Sequence, residues 1–366
     1  MSPTRRATLA ATASLVPMGG CAWSSLPGST SDGGAGGDAR IGLAGDVMLG
    51  RGVDERHADR RPESVWGTLL PDLRRLDGTL ANLECCISER GTRWPGKGYY
   101  FRTGGWALPA LDVAGIGAVS LANNHTLDFG PSALRDTLAG LERTGIGSSG
   151  AGTDRRAALE PAIIDVGEVS VAILALTDRM PAFAAGPRRP GTARMGLGER
   201  SWRARRLVRD VLRRPAVDRA DLVVASLHWG PNWTLVKHPA RRAFGRWLVD
   251  AGVDVVHGHS AHVPHGIEVY EGAPILYDCG DLVDDYLVKE GLHNDRSFLF
   301  ELVVEAGSVV AVRLHPVEIR RSTAHRATGD VARWLFERMR TLSSRFDTAV
   351  RVESGTGALR VSVTEG

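Results

Sequence analysis

Lysine is nearly missing from this 366-residue chain: Lys97, Lys237 and Lys289 stand alone among 45 basic residues, the rest being arginine. Such a bias reflects the base composition of a genome and does not by itself make a phosphate site. The 42 acidic residues leave a formal charge of only +3, and no basic stripe appears, so the electrostatic footprint of a nucleic-acid binder is absent. Four cysteines are too few for a disulfide scaffold. No apolar run reaches the length that crosses a bilayer, no repeat of 20 to 50 residues marks a solenoid, and no serine sits on a GxSxG elbow, which removes seryl hydrolase chemistry. What remains is ordinary globular material, 43% hydrophobic, long enough for one large domain or two of medium size.

Histidine breaks the even composition. Six of the eleven fall between His228 and His265, and concentrated His, Asp and Glu are what metal sites require.

The N-terminal residues read as processing signals. Arg5 and Arg6 precede an apolar run from Ala7 to Met18, too short to span a membrane but suited to a signal-peptide core. The segment resembles a twin-arginine export signal, and Met18-Gly19-Gly20-Cys21 resembles a lipobox with Cys21 as the lipidated residue. This predicts an exported protein tethered through Cys21 to the outer face of the cytoplasmic membrane. The predicted organisation is an export signal and lipobox over 1–21, a flexible linker rich in Ser, Gly and Pro over 22–39, a domain over 40–320, and a C-terminal helix and tail over 321–366. Without residues 1–20 the chain carries 43 basic and 42 acidic residues, so any anion recognition must be local. Cys85, Cys86 and Cys279 are expected as buried thiols.

Short apolar strands alternate with helical segments. Strands are predicted over 40–46, 78–84, 118–122, 162–166, 169–176, 222–227 and 253–256, with an antiparallel run of four more between 267 and 314. Helices are predicted over 64–76, 106–114, 131–143, 199–213, 241–251 and 330–345. This order argues an α/β fold of two mixed sheets flanked by helices. Ligands gather beyond the carboxyl ends of strands in such folds, and those ends carry Asp46, Glu84, Asn124, His228 and the cluster from His257 to His262. One aspartate at a strand end is usually a cap. Five ends bearing three imidazoles and two carboxylates form a donor mixture that borderline divalent metals prefer. Gly145, Gly147 and Gly150 satisfy GxGxxG but follow a helix, which reads as a helix exit rather than a dinucleotide site.

The blocks Gly45-Asp46-Val47-Met48-Leu49-Gly50-Arg51, Ala81-Asn82-Leu83-Glu84, Ser120 to Gly130, Leu227-His228-Trp229-Gly230, Val256 to His262 and Ile275 to Asp281 resemble CapA-type proteins of poly-gamma-glutamate capsule synthesis. That family is similar to the calcineurin-like metallophosphoesterases, which implies a four-layer fold: a double mixed β-sandwich flanked by helices. The resemblance implies one or two divalent ions, Mn, Fe, Zn or similar. Asp46 would hold the first, Glu84 would bridge, Asn124, His228 and His259 would surround the second, and His262 would return to the first. His125, oriented by Asp128, would stand beside the leaving oxygen. Arg51, Arg102, Trp229 and Asn232 are candidate substrate-binding residues. Met48 departs from the superfamily pattern, which places a histidine there, and His259 and His262 are spaced one residue wider than usual. The implied activity is hydrolysis of a phosphoester or related bond in an anionic envelope polymer. The alternative is a lipoprotein that binds or anchors such a polymer, or its synthesis machinery, without turnover.

Overall fold

The computed structural model describes residues 37–198 and 201–363. The expected export signal, the Cys21 anchor and most of the expected linker lie outside the described residues. Strand β1 (Ala39–Val47) is followed by β2 (Gly78–Leu83), β3 (Ile116–Ser120) and β4 (Gly147–Ser149), four parallel neighbours. Next come β5 (Ala162–Val166), β6 (Val169–Thr177), β7 (Leu222–His228), β8 (Val255–His259), β9 (Ile267–Tyr270) and β10 (Ala273–Leu276), which form a second sheet in the order β9-β10-β8-β7-β6-β5. The chain then returns to the first sheet through β11 (Asp281–Val283), parallel to β1. Strands β12 (Arg296–Glu305), β13 (Ser308–Ile319), β14 (Ala324–Arg326), β15 (Arg351–Glu353) and β16 (Ala358–Ser362) complete that sheet, whose main path is β15-β16-β13-β12-β1-β2-β3-β4.

Alternation along the strands makes the layers. In β2, Leu80 enters an apolar cluster between the sheets while its neighbour Ala81 enters one on the outer side. Ile173 and Leu174 in β6, and Val224 and Ala225 in β7, divide in the same way, as a period of two requires. The inter-sheet cluster joins Ile41, Leu43 and Phe300 to Ile173, Val224 and Val255. Outside the first sheet, Leu111 of helix α1 (Ala107–Val113) and Leu134 of α2 (Gly130–Thr144) cover β2 and β3. Outside the second, Val208 of α3 (Trp202–Leu212) and Phe244 of α4 (Pro239–Asp250) cover β7 and β8. Every residue of β2 and β7 is buried, the mark of parallel strands covered on both faces. The double mixed β-sandwich flanked by helices is therefore the architecture found.

Three segments differ in detail from the sequence reading. The helix expected over 64–76 is a 3₁₀ stretch, Pro62–Leu69, broken at Gly67, followed by the short helix Leu70–Leu73; Gly67 at positive φ and Pro71 interrupt the α-helical ladder. The four strands expected as one antiparallel run divide between sheets, β9 and β10 in the second and β12 and β13 in the first, because the chain crosses at Gly280. The segment expected as helix and tail holds α5 (Gly329–Ser343) and adds β16 beside β13. Cys85, Cys86 and Cys279 are free and buried.

Candidate metal centre

The parallel strands of both sheets end at one rim. Asp46 is the next-to-last residue of β1, Glu84 directly follows β2, and His228 and His259 close β7 and β8. Gly45 permits this: its Cα lies against the carbonyl of Gly280, where any Cβ would collide, and Asp46 N donates to that same carbonyl at 2.8 Å. The loop after β8 turns through Ser260 and His262, both at positive φ, which brings His262 back onto Asp46. Ser260 N donates to Asp46 Oδ2 at 3.2 Å. His257 pins the two sheets together, its Nε2 2.9 Å from the Ala44 carbonyl.

Two ligand groups result. Asp46, His228 and His259 form one, and Asp46, Glu84, His262 and Asp281 the other, all donor atoms within each lying within 4.8 Å of one another. Asp46 belongs to both. Glu84, the expected bridge, falls in the second group yet reaches toward both, with Oε1 3.7 Å from His228 Nε2 and Oε2 3.9 Å from His262 Nδ1. Asn124 joins through Oδ1, 2.6 Å from His228 Nε2.

The donor set fits a divalent cation. Glu84 is fully buried, but neither of its oxygens finds a hydrogen-bond partner among the described residues, and Asp281 Oδ2 is in the same state. A buried carboxylate left so is costly unless a cation faces it. Burial, with Asp46 adding its charge, raises Glu84 well above the ordinary carboxylate range; Asp281 is raised by the same causes, and burial also raises Asp46. Burial lowers His228 and His259, which keeps them neutral with lone pairs to donate. Burial alone would lower His262 too, but the Glu84 and Asp46 carboxylates prevail and push it up to about 9.

His125 stands beside this cluster. Its Nδ1 is 2.7 Å from Asp128 Oδ2, and Phe101 stacks on the ring at 3.7 Å between centroids. Its Nε2 takes no hydrogen bond among the described residues. Asp128 also accepts from Phe101 N at 2.7 Å and pairs with Lys97. Burial lifts the Asp128 carboxyl to about 7 against the pull of Lys97, while burial and Lys97 lower His125.

The substrate-binding candidates separate. Asn232 is at the centre: Nδ2 lies 3.1 Å from His262 Nε2, and Oδ1 accepts from Arg179 at 3.1 Å. Arg51 is at the edge, paired with Asp285 and lying 4.8 Å over the Phe101 ring. Arg102 covers the Phe129 ring at 4.1 Å, with no contact to the cluster among the described residues. Trp229 is core: fully buried, it stacks on Tyr277 and donates to the Tyr277 carbonyl at 3.1 Å, so no substrate can reach it. The aromatic against the cluster is Trp233, 4.9 Å from His262. Met48 is also core, its sulfur accepting from Gly50 N at 3.2 Å, which removes it as a ligand.

Sequence reasoning passed over several contributors. Asn82 stands inside a quoted motif and donates to Asp46 Oδ1 at 2.7 Å. Asp281, Asp284 and Asp285 read from the sequence as an acidic loop able to assist a cation, and Asp281 is the one that joins the ligands, because β11 crosses back beside β1. The rare lysines were the strongest unread signal. Lys97 holds Asp128, Lys237 is buried between Trp229 O at 2.6 Å and Asp278 Oδ2 at 2.8 Å, and Lys289 sits 4.7 Å over the Trp233 ring. Lys237 is buried and the Lys97 side chain nearly so, and each presents a compact ammonium rather than arginine's planar fork.

Comparison with known proteins identifies the family. Residues 40–286 match the family model described as bacterial capsule synthesis protein PGA_cap. A probable polyglutamine synthesis accessory protein of Mycobacterium tuberculosis is 35% identical over 84% of this chain and 92% of its own length. The PGA biosynthesis protein CapA of Bacillus subtilis is 26% identical over 77% of this chain and 72% of its own. Among solved structures, the sulfate thiohydrolase SoxB of Thermus thermophilus aligns at a TM-score of 0.44 and 10% identity, over 84% of this chain and 61% of that one. The chain belongs to the bacterial capsule synthesis PGA_cap family.

Proposed function

We propose that this chain is an exported, lipid-anchored, metal-dependent hydrolase of a phosphoester or related bond in an anionic envelope polymer. The observation that carries the reading is the pair of buried ligand groups joined through Asp46, with both Glu84 oxygens unsatisfied. One or two divalent ions in these groups supply Lewis acidity toward an ester oxygen and offset developing negative charge. The chain's own residues do the rest. Asp46 and Glu84 fix the cation positions, Asn82 and Ser260 N orient Asp46, and Asn232 holds the outer nitrogen of His262. Asp128 occupies Nδ1, so Nε2 is the nitrogen His125 turns to the leaving oxygen; it gives up a proton there only from the imidazolium, which the Asp128 carboxylate favours and burial with Lys97 opposes. Lys97 fixes Asp128 in place. Export and anchoring are supported by Arg5, Arg6 and Cys21 in the sequence, and the polymer by the names of the relatives.

The burial of Met48 in the core favours a second reading, a binding or anchoring accessory to capsule synthesis that uses the same cleft without turnover. Metal-loaded protein incubated with generic phosphodiesters, phosphomonoesters and poly-gamma-glutamate separates the two. The hydrolase reading expects product, with His125→Ala retaining its metal and losing about 100-fold or more in rate. Intact metal without product on the whole panel overturns it in favour of the accessory.

A further inference from the structure

In a chain whose acidic and basic residues nearly balance, four arginines along one groove have no acidic partner among the described residues. Two adjoining cavities, of about 790 and 690 Å³, share Arg194, Gly196 and Ser201 and so form a continuous channel. Arg179 stands at its inner end, Arg194 in the middle, and Arg155 and Arg203 at its outer end. Among the described residues no carboxylate comes within 4.0 Å of any of these four side chains. Arg179 bonds Asn232 Oδ1, Arg155 the Ala185 carbonyl and Arg194 the Asp178 carbonyl. Arg194 Nε is buried with no hydrogen-bond partner among the described residues. Asp178, the carboxylate that lines the channel, is occupied by Arg241 at 2.7 Å and Gly230 N at 3.2 Å.

The inner end lies beside the metal centre. Arg179 contacts Asn232, which contacts His262, and its charge reaches His125 and His228. Between the arginines the walls are small and apolar, Ala158, Ala184, Ala185 and Met195, and Trp202 stands 64% exposed at the outer end. Hydroxyl groups are few, Thr192 and Ser201. Each cavity alone has the volume of a drug-sized ligand site, so the channel is too long for a single anion.

We propose that this arginine channel is a second binding site, independent of metal, for an extended polymer of amide-linked carboxylate units. Guanidinium forks pair with successive carboxylates, and the small apolar walls accept the methylenes between them. A sugar-phosphate polymer would need partners for its hydroxyls, which these walls lack. The site rests on the proposed function only in taking the metal centre as the place to which the polymer is led.

Fluorescence polarisation of a labelled poly-gamma-glutamate oligomer, on the full chain with and without chelator, tests it. The parent should bind equally in both and more weakly as salt rises. Arg155→Glu/Arg203→Glu should bind at least about tenfold more weakly with unchanged metal content and circular dichroism. Arg203→Glu alone, on an exposed helix face, gives the same direction should the pair fail to fold, and Arg155→Lys/Arg203→Lys should retain most binding. Unchanged affinity in the charge-reversed variants, or loss of binding on chelation, overturns the channel. Polyphosphate competing as well as poly-gamma-glutamate overturns the carboxylate assignment. Binding in chelator by a protein without turnover keeps the channel and removes the hydrolase.

Discussion

At Glu84 a carboxylate is held out of water between two imidazoles with neither oxygen bonded. Its raised pKa states the cost: at neutral pH the unfolded chain ionises this group freely and the folded chain resists it. Glu84→Gln should therefore melt about 2–5 °C higher than the parent in chelator and gain less from added metal, since ligand binding stabilises only what it binds. A parent that outlasts Glu84→Gln in chelator contradicts this. His265 obeys the opposite sign. Burial pushes it down to about 4, with Nε2 bonded to the Thr234 carbonyl at 2.6 Å. Its contribution is fully present above the unfolded value near 6.5 and is lost as pH falls toward 4. The loss approaches about 3 kcal/mol. Urea midpoints at pH 7 and pH 4.5 should differ less in His265→Gln than in the parent.

Among the elements, β1 and the crossing into β11 bear most on the centre. Gly45 is pressed against the Gly280 carbonyl, and Gly280 itself lies at positive φ. Gly45→Ala should cost about 2 kcal/mol or more and lower metal content, because the clash displaces Asp46; a variant with the parent's urea midpoint and metal content would refute this. The same junction shows what the sequence could and could not disclose. Strands β1, β2, β7 and β8 were legible because apolar runs ended in Asp, Glu or His, and β5 and β6 because Gly167 and Glu168 separate two such runs. The assignment of β9 and β10 to one sheet and β12 and β13 to the other was not. Nothing local in Phe298–Val304 encodes which sheet it joins; the crossing at Gly280 decides it. Asp281 could be read only as one of three loop aspartates able to assist a cation, since its place beside Asp46 comes from the parallel pairing of β11 with β1. Trp229 was misplaced because an aromatic after a ligand histidine reads as a cleft residue, whereas a residue one step along the chain faces the opposite side, here the helix layer.

Across the whole molecule, two sheets meet so that their parallel strands share one rim, and the charges there come from both. Asp46 and Glu84 belong to the first sheet, His228 and His259 to the second, and His257 bonds across to Ala44. The ligand groups exist only when the sandwich is closed, so cation binding and packing of the sheets reinforce each other. The central claim is that Asp46 joins two ligand groups. Counting bound metal per chain by elemental analysis, in the parent, Asp46→Ala and His259→Ala, tests it most directly. The account predicts tightly held metal in the parent, loss of it all in Asp46→Ala, and loss confined to the Asp46–His228–His259 group in His259→Ala. A parent free of metal after loading, or an Asp46→Ala variant that keeps the parent's metal, would contradict it.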